Sequence, residues 1–279
     1  VTTTDEDRSL RVAAAVEPLG PDHYSAWLSP YYNVVGHPHG GYLQCVLANA
    51  ALAAASAAGA HHLHATAVSA NFMSAPEPGL AELHTDVRRV GRGVSFVHVT
   101  LSQNGHITSE ALVTLGILGE DSAARYMDAT PPTLAPLDEC RQSTGSDEIN
   151  IMRVIDQRLD PSCADWWTGE VSDRGEVRGW LRLNDGDASW DALSLHFACD
   201  AMPPAVFPLG SSGWVPTLQL TSYVRRIPTG EWLRGRQWCT VVADGSFDEH
   251  CELFDERDEL VASSRQLAMV RFPSSHSAS

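Results

Sequence analysis

The strongest constraint on this chain is that it runs twice through the same order of segments, an apolar helix-like run followed by strand-like runs. In the first pass, HGGYLQCVLANAALAAASAAG combines strong helix formers with a glycine at its end. It is apolar nearly all round, so it has to be wrapped on most sides. Behind it come ATAVSANFM, AELHTDVRRV, VSFVHVTLSQ and HITSEALVTLGIL, separated by the turn signals PEPG, GRG and NG. In the second pass, SWDALSLHFACDAM stops at Pro203-Pro204 and precedes VPTLQLTSYV, EWLRGRQWCTVV, DEHCELFD and LVASSRQLAMVRF. The offset that carries Asn49 onto Asp200 also carries Thr66 onto Thr217, Gly79 onto Gly230 and Ser95-Phe96 onto Ser246-Phe247.

One buried helix with an antiparallel meander, in duplicate, predicts an α+β fold: a double hotdog, two tandem antiparallel sheets each wrapped around a long central helix. A length of 279 residues with 43% hydrophobic content suffices for two such units. The expected boundaries are 1–118 for the first unit, 119–165 for a proline- and acid-containing linker and 166–279 for the second. At the end of the linker, IMRVIDQRLDP reads as the first strand of the second unit. The acidic N-terminus and the SSHSAS tail are expected to be mobile.

Charge and cysteine usage narrow the partners. With 19 basic against 35 acidic residues, a formal charge of -16, the chain repels a polyanion, which argues against nucleic acid. Six cysteines without a C-x-x-C pair, and the acidic start VTTTDEDRSL, predict a reduced, cytoplasmic protein. The most apolar stretch, Tyr42 to Ala58, is interrupted by Gln44, Asn49 and Ser56, so no membrane span is expected.

Three polar residues of the second pass stand out. Asp200 falls near the end of its helix, on a face with Leu193, His196 and Phe197 and at the unfavourable negative end of the helix dipole. Thr217 opens a strand in which strict alternation puts Thr217, Gln219, Thr221 and Tyr223 on one face. Gln266 lies inside the apolar last strand, where a buried amide needs partners. Each alone reads as structural. Together, a carboxylate and two neutral hydrogen-bonding groups can hold a water and take its proton as it attacks a carbonyl. No G-x-S-x-G nucleophile elbow is present. His61, His62 and His64 cluster without a completing ligand set, so neither metal nor cofactor is expected.

HGGYLQCVLANAAL, NFMSAPEPG, VRRVGRGVSFVHVTLSQNG, Cys199-Asp200, VPTLQLTSYVRRIP and LVASSRQLAMV resemble the bacterial acyl-CoA thioesterase II family of double hotdog proteins, from about Tyr31 to Phe272. The resemblance implies hydrolysis of an acyl-CoA thioester, with Asp200, Thr217 and Gln266 as the catalytic triad. The first half carries Asn49, which is no base, and ALV near Leu112 and Val113 where a glutamine would match, so one site per chain is expected. Asn49 and Thr66 then read as substrate-binding or as inherited interior polar groups. His39, Gly40 and Gly41 start the first helix, where free amides either polarise the thioester oxygen or form a simple entry turn. Tyr223, with Tyr31, Phe72 and Trp214, is expected to shape the acyl tunnel. Arg88, Arg89 and Arg92, with Arg225 and Arg226 in the matching region, are candidates for CoA phosphates or solvated turn residues. The family's sheets commonly pack back to back, which implies a homo-oligomer. Two readings compete: an enoyl-thioester hydratase or dehydratase using Asp191 and His196, and a catalytically silent acyl-thioester-binding protein.

Overall fold

The computed structural model describes residues 8–119, 124–146, 148–186 and 189–273. The SSHSAS tail and residues 1–7 lie outside the described residues. In chain order the elements are α1 (Leu10–Ala13), β1 (Glu17–Pro18), β2 (His23–Leu28), β3 (Asn33–Val34), β4 (His37–Pro38), α2 (Gly40–Ala57), β5 (His64–Phe72), β6 (Gly79–Val90), β7 (Ser95–Gln103) and β8 (His106–Gly116). There follow β9 (Arg141–Gln142), β10 (Ile155–Leu159), β11 (Glu176–Leu183), α3 (Ala192–Ala198), β12 (Thr217–Val224), β13 (Leu233–Ala243), β14 (Ser246–Phe254) and β15 (Leu260–Met269).

Hydrophobic alternation explains the strands. In β7, Ser95, Val97, Val99 and Leu101 turn inward, and in β14 Phe247, Cys251 and Leu253 do the same. These two strands begin at Ser95 and Ser246, the pair superposed by the sequence offset. The strand order is β1-β2-β6-β7-β8-β5-β12-β15-β14-β13-β11-β10-β9. Read outward from its centre, β5-β8-β7-β6-β2 on one side mirrors β12-β15-β14-β13-β11 on the other. The double hotdog expected from the sequence is therefore present, with its two sheets fused into one, of 13 strands among the described residues, through the antiparallel β5–β12 pair. Fusion satisfies the edge strand of each half with that of the other. Within the stretch 119–165, β10 pairs with β11, so IMRVIDQRLDP does supply a strand to the second half.

The helices break the symmetry. α2 has 18 residues and is buried on most sides, with Val46, Leu47, Ala50 and Ala51 sealed against the sheet. α3 has only 7, so the second central helix is short where the sequence suggested a long one. Asp191 opens it by a reciprocal cap with Ser194, the Ser194 amide lying 2.7 Å from the Asp191 carboxylate. Pro203 and Pro204 lack amide donors and prevent its continuation. The chain crosses the second sheet as turns and extended segments up to Pro216, and a hollow remains where the first half is filled by helix. Among the described residues no helix is long and apolar enough to cross a membrane.

Candidate active site

The hollow is a cavity of about 830 Å³. Its walls are the end of α3, the start of α2, the turn after β5 and the inner face of the second sheet, and it is lined by Asp200, Thr217 and Gln266 among others. Trp166, Trp167, Phe207 and Met202 supply much of its apolar wall, the composition of a pocket for a largely apolar ligand with a few polar groups to orient it.

Asp200 sits just past the end of α3, freed from the helix that holds its counterpart Asn49. The adverse dipole of its own helix is countered by that of another. The carboxylate faces the first turn of α2, where Oδ2 accepts from the Gly41 amide at 2.7 Å, across 159 residues of sequence. His39 Nε2 lies 2.8 Å from the Asp200 carbonyl oxygen and 3.3 Å from Oδ2. Glycine is required here by close approach. A Cβ on Gly41 would stand 2.9 Å from the Asp200 Cβ and from the Phe197 carbonyl, and one on Gly40 would stand 2.9 Å from Asp200 Oδ2. Burial holds the Asp200 carboxyl above its ordinary range, while His39, the Gly41 amide and the Gln266 amide pull it back.

Thr217 reaches the cavity through a β-bulge. Its register partner is Ala268, but after the bulge Gln219 pairs with Leu267, so alternation is interrupted at Leu218. Thr217 therefore turns inward, while Gln219, Thr221 and Tyr223 stay on the outer face. This corrects the single shared face predicted by strict alternation. The Thr217 hydroxyl donates to Gln266 Oε1 at 2.8 Å. Gln266 occupies an inward position of β15, and its amide nitrogen donates to Glu249, directly opposite on β14.

Asn49 donates to the Ala14 carbonyl at 2.8 Å and Thr66 to the Thr114 carbonyl at 3.2 Å, and neither lines the cavity. Tyr223 is 47% exposed on the outer face and also stands apart from it. Phe72 and Trp214 do line it, whereas Tyr31 does not. Arg88 is paired with Asp86 at 3.2 Å, and with Arg89 and Arg92 it belongs to the far end of the β6–β7 hairpin. The cavity rim at Met73 to Pro76 adjoins the near end of β6, so roughly 30 Å of strand separates these arginines from it. Arg226 is engaged by Glu259 at 2.7 Å.

Of the competing pair, Asp191 caps α3 and His196 is sealed in the core against Ser222 and the Ala65 carbonyl, so neither faces the cavity. Among the described residues, one set of side chains is close enough to share a metal ion, His23, Glu82 and His84 on the outer face of β2 and β6. It is remote from the cavity lining.

Sequence reasoning passed over Glu249, Gln157 and Gln237, which also line the cavity. A signal for Glu249 was available: within SFDEHCELF it occupies an inward step between Phe247 and Cys251, where an acid is out of place unless it serves a polar site.

A family model described as the acyl-CoA thioesterase N-terminal domain matches residues 28–116, and one described as the acyl-CoA thioesterase C-terminal domain matches residues 127–270. The crystal structure of a protein described as a thioesterase II from Thermobifida fusca is 33% identical, covers 94% of this chain and 97% of its own, and superposes with a TM-score of 0.84. A conserved protein with a hot dog fold from Alicyclobacillus acidocaldarius is 20% identical, covers 98% of this chain and 100% of its own, and gives 0.79, a likeness of fold. An uncharacterised protein of Mycobacterium tuberculosis is 29% identical over 92% of this chain and 97% of its own length.

Proposed function

Because the chain belongs to the acyl-CoA thioesterase family, with the family's N-terminal and C-terminal domains in tandem, we propose that it hydrolyses acyl-CoA through a water activated by Asp200, Thr217 and Gln266. The observation that carries this reading is convergence. Three groups far apart in sequence line one cavity, and two of them are hydrogen-bonded to each other.

In the proposed reaction the thioester carbonyl enters the cavity with its acyl chain along the apolar wall. Asp200 takes a proton from the water as its oxygen bonds to the carbonyl carbon. Thr217 directs its hydroxyl hydrogen to Gln266, which leaves its oxygen lone pairs for that water. The tetrahedral intermediate expels the sulfur, which receives the proton from Asp200 and departs as the CoA thiol, leaving the free acid. The Gly41 amide serves Asp200, so the Gly40 amide, in the same helix turn and on the cavity wall, is assigned to the developing oxyanion. The first half, residues 1–118, then supports the second by lending the start of α2 and the turn after β5.

We place this activity in the cytoplasm and in a homo-oligomer. Support for self-association is a run of apolar side chains on the outer face near the seam: Leu112, Tyr223, Leu267 and Met269 are each at least 40% exposed, on β8, β12 and β15.

The test is thiol release from a panel of saturated acyl-CoAs by the wild type and by Asp200→Asn. The variant is expected to lose about 10²–10⁴-fold in kcat with its fold intact. Unchanged cleavage would reject Asp200 as the base. Binding of acyl-CoA by the wild type without turnover would favour the silent binding protein.

A further inference from the structure

One buried carboxyl has no part in the reaction above. Glu249 is 1% exposed, lies on the floor of the cavity and, among the described residues, has no cation against it. Its oxygens accept from the Ala205 amide at 2.5 Å and from the Gln266 amide nitrogen. Gln237, inward on β13, contacts it too. Both amide hydrogens of Gln237 are directed to carbonyls, those of Pro203 at 3.1 Å and Met202 at 3.4 Å. Gln237 Oε1 is left sealed from solvent and without a donor.

We propose that Glu249 is a positioning residue for hydrolysis: through its bond to the Gln266 amide nitrogen it fixes which end of that amide meets Thr217, and it does so as the neutral acid. The inference rests on the site proposed above. An amide is nearly symmetric in shape, and without an acceptor at Glu249 nothing on β14 distinguishes its two orientations. Turned over, Gln266 would offer N–H to Thr217, whose hydroxyl hydrogen would then be free to point at the water and compete with the geometry required for attack. The neutral acid also supplies a hydrogen, the one kind of group that Gln237 Oε1 lacks.

The surroundings favour the neutral form. Burial, together with the nearby charge of Asp200, pushes the Glu249 carboxyl up to about 8, against the pull of the Ala205, Gln266 and Gln237 bonds. The titratable groups that act on it are Asp200 at the end of α3, Cys239 on β13 and Cys251 on β14, with His39 at the start of α2 set against Asp200 and Cys199 against Cys251. Burial holds Cys239 up at about 11, and the bond with Cys199, with burial added, holds Cys251 above its ordinary range, so these two thiols keep their protons where Glu249 loses its own. Once ionised, Glu249 sets a second negative charge beside Asp200 and opposes the growing charge on the thioester oxygen. Turnover should therefore fall on the alkaline side as Glu249 titrates.

The experiment measures kcat and KM by thiol release from pH 6 to 9 for wild type, Glu249→Gln and Glu249→Leu, with Asp200→Asn in parallel. Gln reproduces the neutral acid, accepting from Gln266 and donating to Gln237. It is expected to keep activity at neutral pH within about tenfold of wild type and to lose the alkaline fall. Glu249→Leu should lower kcat by tens of fold with little change in KM. An alkaline fall that persists unaltered in Glu249→Gln, or wild-type kcat in a folded Glu249→Leu, overturns the inference. Should the leucine variant not fold, the pH profile of Glu249→Gln decides alone. The two readings fail separately: active Asp200→Asn rejects the site, whereas inactive Asp200→Asn with indifferent Glu249 variants rejects only the role of Glu249.

Discussion

Single residues here take their meaning from partners distant in sequence. His196 shows this in the core. Its Nε2 bonds the Ala65 carbonyl at 3.0 Å, and its Nδ1 lies 2.7 Å from Ser222 Oγ. Gln44 directs its amide hydrogens to the Val68 and Leu220 carbonyls, and its oxygen receives the Ser222 hydroxyl at 2.6 Å. One network thus joins α2, α3, β5 and β12. Desolvation lowers the His196 pKa from 6.5 to about 4, so the unfolded chain binds the proton more readily than the native one. The stability this neutral histidine contributes is complete above pH 6.5 and is lost as pH falls towards about 4. Glu249 acts with the opposite sign: its pKa rises from 4.5 to about 8, so its burial favours the native state at low pH and costs stability as pH rises through that range. The two overlap, and a variant must be compared with wild type to separate them. His196→Asn is expected to have a lower Tm than wild type at pH 7, with the gap narrowing by pH 4.5. A gap that is constant with pH would show that His196 does not titrate in that window.

At the scale of elements, the decisive contact is the approach of α2 to the end of α3. Gly41 allows it, because any Cβ would meet the Asp200 Cβ and the carbonyls of Phe197 and His196 at 2.9–3.0 Å, two of the three atoms being backbone that cannot swing away. Gly41→Ala is expected to destabilise by about 1–3 kcal/mol and to weaken the amide bond to Asp200, lowering kcat more than it raises KM. Denaturant unfolding and steady-state kinetics on the same preparation check both parts. Wild-type stability and kcat would mean that the helices slide apart without penalty. The bulge at Leu218 is the second element-level device. From Thr217 to Tyr223 the sequence reads as an uninterrupted alternation, and only the pairing of β12 with β15 shows that Thr217 has left the face of Gln219 and Thr221. A bulge is set by two strands together and leaves little trace in either alone.

For the whole molecule, the near-twofold sheet is broken by its helices, and the cavity described above lies in the second half. The same hydrophobic pattern builds both halves, but an 18-residue helix fills the first and a 7-residue helix leaves room in the second. The outer face beside the seam carries the exposed apolar residues on which the proposed self-association rests. Tyr223→Asp combined with Leu267→Asp should reduce the proposed oligomer to single chains in sedimentation, with thiol release retained per chain because neither side chain lines the cavity. A wild type that sediments as a monomer would reject the oligomer.

The sequence by itself determined the two central helices and the four strands that follow each, the duplication, the resemblance and the three residues on which the mechanism is proposed, but not the strands β2 and β11 that precede the helices. Alternation and helix propensity are local properties, and a repeat is visible wherever local properties recur. Tertiary structure alone decided that α3 stops early, that Thr217 turns inward, that Asp200 is matched to the dipole of α2, and that Arg88, Arg89 and Arg92 lie far from the cavity. It also brought Glu249 beneath Gln266. Each of these depends on which groups meet across the fold, and hydrogen-bond partners, burial and electric field are properties of that meeting and of no segment on its own.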